Sequence, residues 1–145
     1  MTSQNFGWFF WAVLSAIFAA LTAIFAKVGV VAINSNFATF LRTIVVIAMT
    51  GAILAATRQA QPLNSISPRS YVFLTLSGLA TGASWLCYFR ALQLGEAARV
   101  APIDKLSTVL VAIFGVAFLG ERLSFTNWFG VFLIAAGATL VALGI

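Results

Sequence analysis

The 145-residue sequence predicts an all-α membrane protein with five transmembrane helices, forming a single domain over residues 1–145. Three observations predict this class. The chain is 62% hydrophobic and 8% charged, with a mean hydropathy of +1.07. Soluble domains carry roughly a quarter charged residues, so this chain lacks the polar surface to cover a core and must turn apolar surface to lipid. Runs close to the ~20 apolar residues that cross a bilayer occur five times. Each run is continuous rather than alternating, which argues against a β-barrel.

The elements follow in order. The first helix is expected over residues 8–25, opened by Trp8, Phe9, Phe10 and Trp11, an aromatic group of the kind found at membrane interfaces. A signal peptide would need a positive segment before this run, so it reads as a retained helix. Asn34, Ser35 and Asn36 make the turn into the second helix, 37–56. A loop with two prolines, residues 57–70, leads to the third, 71–89. The segment "QLGEAARVAP" (93–102) leads to the fourth, 103–119. There Asp104 is expected in the first turn after Pro102, where free N–H groups and the helix dipole favour a carboxylate. The turn "GERLS" (120–124) puts Gly120 at the C′ position of the fourth helix and Ser124 at the N-cap of the fifth, 125–143.

Composition excludes several functions. With no histidine and a single cysteine, Cys87, the chain can form neither an internal disulfide nor a zinc site, nor a Ser/His or Cys/His catalytic group. No enzyme activity, metal or cofactor is expected. The eight basic residues are scattered singly, which fits helix ends and lipid headgroups and not a nucleic-acid surface.

Five crossings place the chain ends on opposite sides of the membrane. One side then holds Arg58, Arg69 and Arg122, and the other Lys27, Arg90 and Arg99. Loop charges at three against three give no clear orientation, and only the deeper Arg42 and Lys105 tip the count to the second side. Arg42, Arg90, Asp104, Lys105 and Lys27 all come to that half of the membrane. Lys27, Arg90 and Arg99 can snorkel to headgroups. Arg42 lies about 9 Å inside its helix at 1.5 Å per residue, and Asp104 is too short to snorkel. Ser107 and Thr108 share the face of Asp104, and Arg42 is a candidate counter-ion. Asp104 suits both a structural cap and a polar translocation site.

In the third helix Gly78 and Gly82 form a small-residue ridge for close helix approach. Ser84, Trp85, Tyr88 and Arg90 follow, with Trp85 and Tyr88 on one face. They fit ordinary packing in a core or at the lipid interface, and are the best candidates in the chain for lining the path of an aromatic or amphipathic molecule. Gly130 and Gly137 share a face of the fifth helix and suit packing.

Several segments together resemble one EamA-type repeat of the drug/metabolite transporter superfamily. They are "AIFAKVGV" (23–30), "FATFLRTIVV" (37–46), "YFRALQLGEAARVAP" (88–102) and "FLGERLSFTNWFGVFLIAAGATLVAL" (118–143). Arg42 takes the family's arginine position. The resemblance implies one half of an inverted-repeat transporter fold, with a central cavity opened alternately to each side. Most members have two such repeats. A single repeat implies an antiparallel homodimer with dual topology, or pairing with a different chain as a heterodimer. The partners implied are a small-molecule substrate and the lipid bilayer, with the bacterial inner (plasma) membrane as location. Many relatives carry a proline where this chain has Thr108, so the hinge is expected at Pro102.

The implied function is a transporter or exporter of small amino-acid-like or amphipathic metabolites, with Lys27, Arg42, Arg90, Asp104 and Lys105 lining an entrance that attracts carboxylates. Neutralising Lys27 and Arg42 should then weaken transport of acidic or zwitterionic substrates more than of cations. Two alternatives remain open at this point. One is a proton-coupled exporter of cationic drugs, for which the first helix lacks an acid and only Asp104 could serve. The other is a non-transporting accessory subunit.

Overall fold

The structure, a computed structural model, describes residues 4–144, with side chains described from Gly7 onward. The two ends of the expected domain, Met1 to Ser3 and Ile145, lie outside the described residues. Six α-helices are present among the described residues: α1 (Gln4–Val30), α2 (Ser35–Thr57), α3 (Pro68–Leu94), α4 (Ala97–Asp104), α5 (Ser107–Leu119) and α6 (Phe125–Leu143). Among the described residues there is no strand. Five segments are long and apolar enough to cross a membrane: Gly7–Val30, Ser35–Thr57, Pro68–Leu94, Ala97–Leu119 and Phe125–Leu143. The fourth therefore consists of α4 and α5 together.

The chain divides into two compact units, one of residues 27–93 and one of the residues before and after them. In the first unit, the last turn of α1, α2 and α3 meet. Asn34 caps α2, its Oδ1 accepting from the N–H groups of Asn36 at 2.9 Å and Phe37 at 3.4 Å. Lipid offers the threonine hydroxyls of α2 no partner, so they bond back to their own helix. Thr39 donates to the Ser35 carbonyl at 2.9 Å, Thr43 to Thr39 at 2.8 Å, Thr50 to Val46 at 2.8 Å and Thr57 to Ile53 at 2.8 Å. Arg58 ends α2 in the left-handed region, with φ 52°. A short 3₁₀ turn, Leu63–Ser65, is pinned by the Tyr71 hydroxyl, which donates to the Leu63 carbonyl at 2.7 Å. Pro68 opens α3, and the Ser67 hydroxyl accepts from the Ser70 N–H at 3.1 Å.

Both α1 and α3 have 27 residues, about 40 Å at 1.5 Å per residue against ~30 Å of hydrocarbon. Their C-terminal turns, with Lys27 and Gln93, thus lie beyond the ends expected from apolarity at residues 25 and 89. Among the described residues the best-buried large side chains, Val30 and Leu92, sit in those two turns, and buried Ser35, Ala38 and Thr39 open α2.

In the second unit α6 packs against α4 and α5. The fourth crossing starts earlier than expected and is broken. The Glu96 carbonyl accepts from the N–H groups of Arg99 at 3.0 Å and Val100 at 2.9 Å, so helical bonding begins at Ala97 and not at residue 103. Pro102 consequently lies inside α4, where its missing N–H removes a bond to the carbonyl four residues back. Asp104 is the last residue of α4, at its C-terminal end, which corrects its expected place in a first turn. The link to α5 is 3₁₀-like. The N–H of Leu106 donates to Ile103, that of Thr108 to Lys105 and that of Val109 to Leu106, each at 3.0 Å. The Thr108 hydroxyl also donates to the Lys105 carbonyl, at 2.6 Å.

Gly120 ends α5 with φ 69°, a left-handed position that disfavours any side chain, and Ser124 caps α6 by accepting from the Asn127 N–H at 3.2 Å. Between them the Glu121 side chain folds back over Gly115. A Cβ on Gly115 would meet Glu121 Oε2 at 2.6 Å, but that oxygen is the mobile end of an exposed side chain. Two substitutions should therefore diverge in a thermal unfolding series. Gly120→Ala is expected to lose about 1–2 kcal/mol to left-handed strain. Gly115→Ala only displaces a carboxylate and gains helix propensity, so its melting temperature should hold or rise.

Candidate functional site

Charge is unevenly distributed along the chain. Residues 27–93 hold Lys27, Arg42, Arg58, Arg69 and Arg90 and no acid. The three acids, Glu96, Asp104 and Glu121, all come later and are matched in number there by Arg99, Lys105 and Arg122. The formal charge of +5 thus belongs entirely to the unit of residues 27–93. A basic side chain at the centre of a membrane helix costs about 2.5–3.5 kcal/mol, so this unit must stabilise its cations with neutral groups.

Arg42 shows the first way. It is half-buried, about 10 Å along α2 from Ser35 at 1.5 Å per residue. Its Cζ stands 4.1 Å from the ring centroid of Trp85 and 5.5 Å from that of Phe89. Trp85 and Phe89 are four apart on α3 and so share a face, and Phe89 is buried. Desolvated cation–π contacts of this kind contribute on the order of 2 kcal/mol. Half-buried Tyr88 lies close enough to Arg42 to interact with its charge. Aromatic faces offset the charge of a guanidinium but have no lone pairs for its five N–H donors.

Lys27 shows the second way. Its Nζ donates to the Leu92 carbonyl at 2.6 Å, in the last turn of α3. In return Gln93 Nε2 donates to the carbonyls of Val30, the last residue of α1, at 3.2 Å and of Ile33, three residues beyond it, at 2.7 Å. The Arg90 guanidinium donates to Gln93 Oε1 at 3.1 Å, so both ends of the amide are engaged. Helix C-termini expose unpaired carbonyls and a negative dipole end. Here α1 and α3 each supply the donor that the other needs, a reciprocal clasp between residues 60 to 65 apart in sequence.

Among the expected site residues, Lys27, Arg42, Trp85, Tyr88 and Arg90 fall in this unit, and Ser84 is exposed on α3. Asp104, Lys105, Thr108 and Pro102 fall in the other, at the break in the fourth crossing. There Lys105 Nζ lies 3.5 Å from Asp104 Oδ2, and Arg99 Nε lies 3.3 Å from Glu96 Oε2. The Arg99 guanidinium also covers Gly144, the left-handed cap of α6, where a Cβ would meet Arg99 Nη2 at 3.3 Å. At Gly78, Gly82, Gly130 and Gly137 an added Cβ would meet nothing within 4 Å, so both glycine ridges are uncovered. Gln93 and Phe89 were not among the expected residues. Phe89 could have been found from its spacing of four from Trp85, and Gln93 as the last polar side chain of the third apolar run.

Comparison with known proteins follows the same lines. The model of the EamA-like transporter family matches residues 6–143. A protein from a Sinorhizobium species, named as an uncharacterized transporter in the cobO 3′ region, is 67% identical over 135 residues, covering 93% of this chain and 96% of its own. No solved structure matches the chain.

Proposed function

The chain belongs to the EamA-like transporter family, and on that premise we propose that it carries small amino-acid-like or amphipathic metabolites across the bacterial inner membrane. It is an integral membrane protein and a transporter. It works by alternating access, with two copies assembled antiparallel, and leaves its cargo chemically unchanged. The observation that carries this reading is Arg42, kept within the second crossing on the face of Trp85, in a unit without acids. Ionisable groups inside the bilayer are costly and mark transport paths. A passive scaffold gains nothing from such a residue.

Three features support the antiparallel pair. The number of crossings is odd, the loop charges are balanced, and the glycine ridges of α3 and α6 are uncovered and open to close approach by a second copy. Reporter fusions to the C-terminus test it, one active only in the cytoplasm and one only outside. Both are expected to report strongly. A report from one side alone overturns the antiparallel homodimer and favours an oppositely inserted partner, with this chain as the accessory half. Proton-coupled export of cationic drugs would route through Asp104, the only acid within the five crossings. Loss of acid-driven ethidium export in Asp104→Asn, with organic acids still moving, would favour that alternative.

A further inference from the structure

We propose that the Arg42–Trp85–Phe89 group is a receptor for the carboxylate of a flat, singly anionic organic acid, and that it discriminates against the zwitterion and the amine built on the same body. This rests on the transport reading above and narrows its substrate class. Three observations lead to it. First, Arg42 is held by ring faces, at 4.1 Å from Trp85 and 5.5 Å from Phe89, which leaves its N–H donors short of acceptors with lone pairs. A carboxylate offers two such acceptors in the plane of the guanidinium fork. Second, half-buried Tyr88, next to Phe89 in sequence, stands close enough to act on the charge of Arg42, so a third ring lies near the fork for a flat body attached to that carboxylate to meet.

Third, the unit offers an ammonium group no carboxylate. It contains five basic residues and no acid, and the face of its best cation acceptor, Trp85, is already taken by Arg42. An amino acid would gain at its carboxylate and lose at its ammonium. An acid lacking the amine keeps only the gain. The phosphate of an anionic lipid presents similar oxygen chemistry, and a membrane test must separate the two sources.

Three probes share one body and differ in charge: 3-phenylpropanoate, phenylalanine and phenethylamine. Their equilibrium binding is measured to the full chain in nanodiscs of phosphatidylcholine. The acid is expected to bind at least about tenfold tighter than either amine-bearing probe, since hydrogen bonds to charged groups are the strong ones. Arg42→Gln should erase that advantage. Arg42→Lys, which keeps the charge but not the fork, should recover only part of it. The ranking of probes on the unaltered chain stands even if a variant folds poorly.

Equal binding of the three probes, no binding of the acid at millimolar concentration, or an Arg42→Gln variant that binds it as tightly as before would overturn the proposal. Repeating the titration with phosphatidylglycerol in the disc isolates the lipid source. Unchanged acid binding supports the proposal, and abolished binding assigns the fork to a lipid phosphate and overturns it. Counterflow in proteoliposomes separates this idea from the transport reading. Movement of the amine independent of Arg42 leaves transport standing and sinks the carboxylate receptor. Selective binding of the acid with no counterflow of it sinks transport through this site and leaves the receptor standing.

Discussion

Replacing Gln93 by leucine is expected to lower the stability of the protein by about 1–3 kcal/mol, on a scale where a neutral hydrogen bond contributes about 1 kcal/mol and one to a charged group more. One side chain serves three groups: the carbonyls of Val30 and Ile33 and the guanidinium of Arg90. Leucine has nearly the same length but offers no polar atom, so all three lose their partner, the part-buried Val30 carbonyl at the greatest cost and the exposed Ile33 carbonyl and Arg90 guanidinium with water or headgroups to turn to. Gln93→Glu separates charge from donor capacity. It keeps an acceptor for Arg90, gains charge attraction to it, and loses both donations to α1. Thermal unfolding in detergent should rank the unaltered chain above Gln93→Glu and that variant above Gln93→Leu. Amide exchange should speed up at residues 31–34 in both. A leucine variant as stable as the parent would mean that the clasp contributes nothing.

The second large effect is expected at Trp85. Truncation to alanine removes the ring on which Arg42 rests, so the guanidinium loses a contact of about 2 kcal/mol and is exposed to lipid as well. Trp85→Phe keeps an aromatic face and should be much milder. The decisive comparison is the double variant. If Trp85 serves chiefly to stabilise the charge of Arg42, adding Arg42→Gln to Trp85→Ala should recover part of the lost stability, because the cation that needed shelter has gone. Additive losses, measured by the same unfolding series, would instead show that the two side chains act independently.

These two residues also mark the boundary of what the sequence revealed. The five crossings were legible because lipid imposes a composition that can be read one segment at a time. Arg42 was legible too, as a charge in an apolar run. Its support on Trp85 and Phe89 was not, because an aromatic residue at helical spacing looks the same whether it faces lipid or a cation. The clasp was hidden more deeply, since its acceptors are main-chain carbonyls, which every residue carries. The start of the fourth crossing was misplaced for a definite reason. Pro102 reads as a first helical residue, yet the Glu96 carbonyl begins the bonding six residues earlier and leaves the proline inside. The turn at Gly120 and Ser124 needed only local chemistry, and the structure shows that chemistry.

The span of the clasp along the chain sets an order of events during synthesis. Lys27 leaves the ribosome some 65 residues before the carbonyl that will receive it, and the Gln93 amide follows one residue after that carbonyl. Until then the Leu92 carbonyl is not there to receive the lysine, and the end of α1 lacks the Gln93 donor. At that moment every net positive charge of the protein has emerged and no acid has. The partners that join the end of α1 to the end of α3 are therefore all available before any acid of the chain emerges.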